Sequence, residues 1–174
     1  MPKADRANQT LRLTTTALFT SMTVILSLSV FSIPVPGGHL YFCDAVINIA
    51  AILLDAPAAF VVGGIGSFLG DFFFYPAPMF VSLVTHGLQA VAVSLISHRF
   101  GRHRVLASAL GVAVGSIVMV AGYTLGRAFV YSTPVYAIIK LPFEVLQALF
   151  GAVAAMVLCY PMRIRQLYER VIGR

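Results

Sequence analysis

From Leu11 onward the chain is a succession of apolar runs cut by short stretches of proline, glycine or arginine. A helix needs about 20 apolar residues to cross a bilayer. On that length the breaks predict six membrane spans, at 11–33, 41–54, 57–75, 79–97, 105–131 and 142–160, in one transmembrane domain covering residues 1–174. The first run ends in SIPVPGG rather than a small-x-small cleavage site, so it reads as a retained span and not a removed signal. Pro34, Pro36, Gly37 and Gly38 predict a loop, and Asp55-Ala56-Pro57 a tight connection with Pro57 in the first turn of the third span. The second span is short for a bilayer, which implies little tilt or a start below the surface.

Composition agrees with this pattern. Of 174 residues 59% are hydrophobic and 10% charged, with a mean hydropathy of +0.91, which marks an all-α integral membrane protein. The net charge of +6 raises nucleic acid as a partner, but the basic residues sit in short runs between apolar segments. Lys3, Arg6 and Arg12, then Arg99, Arg102 and Arg104, then Arg163, Arg165, Arg170 and Arg174 make three groups. With six spans all three fall on one face, which the positive-inside rule makes cytoplasmic, together with both termini. The bilayer and not nucleic acid is therefore the expected partner. Cys43 and Cys159 fall near opposite ends of different spans and predict no disulfide.

Small residues organise the third span. In GGIGSFLGD, Gly66 and Gly70 stand four apart, as do Gly63 and Ser67, so a neighbouring backbone can approach closely. Asp71 follows that smooth face. A carboxylate in an apolar span is costly, and it reads either as part of a site or as an interfacial residue beside a packing seam. Ala17 and Ser21 form a second small-residue stripe on the first span, with Ser27 further along.

The ionisable groups away from the basic clusters share a depth. At about 1.5 Å of rise per residue, Asp44, Asp71, His86, Arg127, Lys140 and Glu144 all fall in the outer half, which predicts a polar cavity open to the outside. Asn48 lies one turn from Asp44 on the same face, and Gln147 continues the face of Glu144. Tyr123 and Tyr75, with Phe72, are candidates to stack on a ring. Each charge has a plainer alternative. Glu144, as third residue of a helix starting at Pro142, would serve as a cap; Lys140 and Arg127 could snorkel; His86 could be a structural histidine.

No catalytic motif is present. The chain lacks GxxxxGK[ST], GxSxG and HExxH, and has no cysteines at metal-ligand spacing. His39 and His86 with Asp44 and Asp71 lack a local metal signature. No cofactor, no metal and no enzymatic activity are expected.

Three blocks carry a family resemblance: HLYFCDAVINIAAILLDAPAAFVVGGIGSFLGDFF, PMFVSLVTHGLQAVAVSLI and LPFEVLQALFGAVAAMVL. They resemble the substrate-binding S components of energy-coupling factor (ECF) vitamin transporters, in the riboflavin- or hydroxymethylpyrimidine-transporter-like group. The resemblance implies six helices, a vitamin or precursor bound on the outer side, and a transmembrane T component with two cytoplasmic ATPases as partners. It also implies that the stripe at Ala17 and Ser21 contacts the T component. Cys43 and Glu144 depart from the family's usual Gly and Asn, and Arg127 lies near a position that is often acidic there. These departures bear on the substrate.

The leading expectation is thus a substrate-capture subunit in the bacterial inner or plasma membrane. Its ligand would be a small polar heterocycle, pyridoxine- or hydroxymethylpyrimidine-like rather than riboflavin, held by Asp44, Asn48, Asp71, His86, Tyr123, Arg127, Lys140, Glu144 and Gln147. Two other classes compete. An intramembrane enzyme would use His86 and an aspartate as acid and base, and a small channel or assembly factor would carry a polar stripe through the full depth.

Overall fold

The computed structural model describes residues 3–28, 31–36, 38–99 and 103–172. Within them run helices α1 (Lys3–Leu26), α2 (Cys43–Leu53), α3 (Ala56–Phe74), α4 (Met79–Arg99), α5 (Arg104–Tyr131), α6 (Pro134–Cys159) and α7 (Ile164–Ile172). A hairpin of β1 (Ile33–Val35) and β2 (Gly38–Leu40) sits between α1 and α2. Gly37, Arg102, Arg174, and positions 29 and 30 of the expected first span, lie outside the described residues.

Four helices, α3 to α6, are long and apolar enough to cross a membrane. Their outward faces are fit for lipid, with Ile117, Phe129 and Ile138 exposed by 68%, 78% and 71%. The other two expected spans take different forms. In α2 every residue except Ala45 is buried, so this helix is the centre of the bundle, and its eleven residues rise only about 16 Å. Helix α1 is rich in hydroxyls, and these are satisfied within it. Thr14, Thr15, Thr16, Thr20, Ser21, Thr23 and Ser27 each donate to the carbonyl four residues back, at 2.8–3.0 Å.

Three expectations need correction. The first helix ends at Leu26 rather than Ile33, because Ile33 to Leu40 pairs as an antiparallel hairpin in the register Ile33 to Leu40 and Val35 to Gly38. Gly38 has φ +146°, a conformation side-chain-bearing residues rarely adopt, and this lets the strand turn back. The last long helix begins at Pro134, not Pro142. Thr133 caps it by accepting from the Tyr136 amide, Pro134 fills the first turn, and Pro142 is carried inside the helix. Glu144 is therefore a mid-helix residue with no free amides to cap. Ser27, finally, is buried, whereas Ala17 and Ser21 face outward from the fold.

The small residues of α3 form two seams rather than one. A Cβ on Gly66 or Gly70 would come within 3.0 Å of Thr23 Cβ or 2.6 Å of Ser27 Cβ on α1. One on Gly63 or Gly64 would meet the carbonyl oxygens of His86 or Leu83 on α4, at 2.5 and 2.9 Å. Backbone cannot swing aside as a side chain can. Gly63→Ala should accordingly destabilise the protein by about 1–3 kcal/mol, seen as a lower midpoint of thermal unfolding in detergent by circular dichroism. An unchanged midpoint would show that α3 and α4 can move apart freely.

Candidate functional site

The hairpin end of the bundle encloses a cavity of about 370 Å³. Its walls come from α3, α4, α5, α6 and the hairpin, with Cys43 at the start of α2 and Ser27 just past α1. Asp71 and Ser67 enter from α3, His86 from α4, Tyr123 and Arg127 from α5, Lys140, Glu144 and Gln147 from α6, and His39 and Tyr41 from the segment leading into α2. Seven of the nine expected site residues line one space.

The remaining two, Asp44 and Asn48, stand one layer behind. Both are buried on α2, and Asp44 is the hub of a knot tying three helices. Its Oδ1 accepts from Gln89 Nε2 at 3.0 Å and its Oδ2 from Gln147 Nε2 at 2.6 Å. Gln89 Nε2 also reaches Asn48 Oδ1 at 3.3 Å, and Gln89 Oε1 lies 2.7 Å from His86 Nδ1. That contact makes Nδ1 the protonated nitrogen of the ring. Gln147 then uses its Oε1 to accept from the Tyr41 amide at 3.0 Å, so one side chain links α2, α6 and the end of the hairpin.

Close approach makes the knot possible. A Cβ on Gly151 would stand 2.6 Å from Asp44 Cβ, so only glycine lets α6 lie against α2 at this level. Gln89 is absent from the sequence-based set. Its spacing of three from His86 on α4 was the available signal.

The upper wall is charged. Arg127 Nη2 donates to Glu144 Oε1 at 3.0 Å, and Thr124 Oγ1 to Glu144 Oε2 at 3.3 Å. Arg127 opens a wide π-type turn, Arg127–Tyr131, and lies over the Tyr131 ring at 5.3 Å. Such turns interrupt helices preferentially at functional positions. Lys140 does not snorkel: it is buried, and its Nζ donates to the His39 carbonyl at 2.5 Å, fastening α6 to the hairpin. On the opposite wall Tyr123 donates to Ser82 Oγ at 2.6 Å, and Ser82 in turn donates to Asp71 Oδ2. His86 and Tyr123 meet edge to face at 5.1 Å. Tyr75 also lines the cavity, while Phe72 is half exposed and stacks with Phe68 rather than on the cavity.

One group of potential metal ligands occurs among the described residues. Atoms of Cys43, Asp44 and His86 lie within 4.8 Å of one another. Both Asp44 oxygens are already engaged by glutamine amides, so the carboxylate serves the helix knot first. A second, larger cavity of about 620 Å³ lies at the other end of the bundle, and each of its two carboxylates is held in an ion pair. Arg12 meets Asp55 at 2.6 Å, and Arg104 and Arg165 both meet Glu169, at 2.8 and 3.1 Å.

This placement of buried polar groups around one pocket in a bundle of apolar helices fits a membrane protein that holds a small molecule. The family model for the ECF-type riboflavin transporter S component matches residues 7–164. The chain belongs to this family. It is also 32% identical over 146 residues to an uncharacterized protein in a gap 3′ region from Pyrococcus woesei, an alignment covering 83% of this chain and 96% of that one. Membership of the S components makes the chain a substrate-binding transporter subunit and a multi-pass membrane protein, in a family that is not a class of enzymes.

In this S component Asp44 should act on the fold before it acts on any ligand. Asp44→Asn turns one acceptor oxygen into a donor facing a glutamine amide. A lost hydrogen bond to a buried charge costs roughly 1.5–3 kcal/mol. Ligand-free Asp44→Asn should unfold several degrees lower than wild type by circular dichroism, as should Gln147→Leu. A wild-type midpoint in both would mean that the knot does not hold α2, α4 and α6 together.

Proposed function

We propose that the chain is the substrate-capture subunit of an ATP-driven ECF importer, taking a small polar heterocyclic vitamin or vitamin precursor from outside the cell. The observation that carries this reading is the charged cavity at the hairpin end, built into a chain of the S-component family. At about 370 Å³ it lies toward the small end of ligand pockets. That size and the close mixture of donors and acceptors favour a pyridoxine- or hydroxymethylpyrimidine-like ring over riboflavin. Asp71, His86, Tyr123, Arg127, Lys140, Glu144 and Gln147 contact the ligand, with Asp44 and Asn48 supporting them from behind.

In this reading the hairpin end faces outward and the arginine-rich end inward. It counts six spans, α1 and the short α2 being added to the four long helices, and puts both termini in the cytoplasm. Energy comes from a T component and two ATPases, since the chain has no nucleotide motif. The exposed small face of α1, at Ala17 and Ser21, is the docking surface for the T component.

Two measurements test the proposal. A reporter fused after Arg174 should be active only on the cytoplasmic side, and activity outside would refute the topology. Ala17→Trp should abolish vitamin uptake by the assembled transporter while leaving ligand affinity of the isolated subunit within about twofold, because a bulky residue blocks close helix approach. Equal loss of uptake and binding would place Ala17 in the fold and not at an interface.

A further inference from the structure

Two charged groups line the cavity without a partner of opposite sign within 4.0 Å among the described residues. Lys140 is 3% exposed, and its ammonium bonds to a backbone carbonyl, that of His39. Among the described residues no carboxylate oxygen comes within 4.0 Å of it, because Glu144 is turned to Arg127. A Cβ on Gly38 would lie 4.0 Å from Lys140 Nζ and 3.9 Å from Arg127 Nη1, so two cations share this corner with one carboxylate. On the opposite wall Asp71 Oδ2 takes the Ser82 hydroxyl, and no basic group among the described residues comes within 4.0 Å. Asp44, behind the wall, has its charge met by two amides, with His86 Nδ1 at 3.8 Å from its Oδ1. One corner of the cavity is therefore net positive and the facing side net negative.

A third group is also open. Ser67 is 3% exposed, lines the cavity beside Asp71, and its Oγ has no hydrogen-bond partner among the described residues. Buried hydroxyls are nearly always paired. Within an apolar bundle, an unmatched ammonium and an unmatched carboxylate are each costly, and nothing in the fold brings them together. A molecule that meets both at once removes both costs.

The geometry points to a zwitterionic ligand: a single small ring carrying an anionic oxygen toward Lys140 and a protonated ring nitrogen toward Asp71 and Ser67. This rests on the reading of the cavity as the substrate site, and it narrows the substrate class from polar heterocycles to dipolar ones. A 3-hydroxypyridine has this character, since its oxygen proton can move to the ring nitrogen to give a pyridinium phenolate. A neutral ring with a long polyol tail does not.

The test uses the full-length protein in lipid nanodiscs, titrated by calorimetry with pyridoxine, its 3-O-methyl ether and riboflavin. The ether cannot form the phenolate. Wild type should bind pyridoxine at least about tenfold more tightly than the ether, a difference expected for a charge-assisted hydrogen bond. Lys140→Met should erase that preference by weakening pyridoxine at least about tenfold more than the ether, with a retained helical circular-dichroism spectrum reporting that the variant is folded. Lys140→Arg should restore most of the preference, and Asp71→Asn should weaken pyridoxine about tenfold. Equal wild-type affinity for pyridoxine and its ether overturns the inference, as does a preference that survives Lys140→Met. Tight riboflavin binding insensitive to both substitutions also overturns it, while leaving the substrate-capture reading intact. Failure of all three compounds to bind, with no uptake of them by the assembled transporter, overturns both.

Discussion

The buried carboxylate of Asp44 is the constraint on which the rest of the bundle depends. A lone charge among apolar helices would be strongly disfavoured, and here two glutamine amides from two other helices meet it. That arrangement is possible only at one relative position of α2, α4 and α6, because side-chain amides are short and directional. Gly151 permits the approach, and the lack of a side chain there is as necessary as the carboxylate itself. The same contacts aim the cavity walls. Gln89 orients His86, and Gln147 holds the chain at Tyr41 where the hairpin joins the bundle.

Around that fixed centre the cavity is assembled from parts that are individually ordinary. Arg127 and Glu144 are an ion pair across α5 and α6, Tyr123 and Ser82 a hydroxyl relay to Asp71, and Lys140 a tie to the hairpin. Their combination inside lipid gives them significance, since each polar group must be met by protein or by a ligand. The opposite end of the molecule shows the contrast. There Arg104 and Arg165 converge on Glu169, and Arg165 also donates to the Tyr160 hydroxyl at 2.7 Å, so α7 is pinned to the bundle by contacts within the protein.

Much of this was legible in the sequence, and the failures have physical causes. Apolar run length located the long helices, because lipid solvation demands a minimum length. Depth counting brought Asp71, His86, Arg127, Lys140, Glu144 and Gln147 to one cavity, since about 1.5 Å per residue is a reliable ruler in a helix. The ruler measures depth and not direction, which is why Asp44 and Asn48 turned out to lie behind the wall and Phe72 to point away from it. Pro142 reads as a helix start in the sequence, although Thr133-Pro134 is the stronger cap and first-turn pair. The hairpin escaped notice because three-residue strands with a proline carry almost no alternation to detect.

The hydroxyl pattern of α1 has a consequence for what its surface can offer. From Thr14 to Ser27 each threonine and serine returns its proton to a carbonyl of the same segment four residues back. A helix in this condition loses no polar contact when the surface beside Ala17 and Ser21 is stripped of lipid, and none when a protein neighbour departs. What this stripe presents is shape rather than hydrogen-bonding groups.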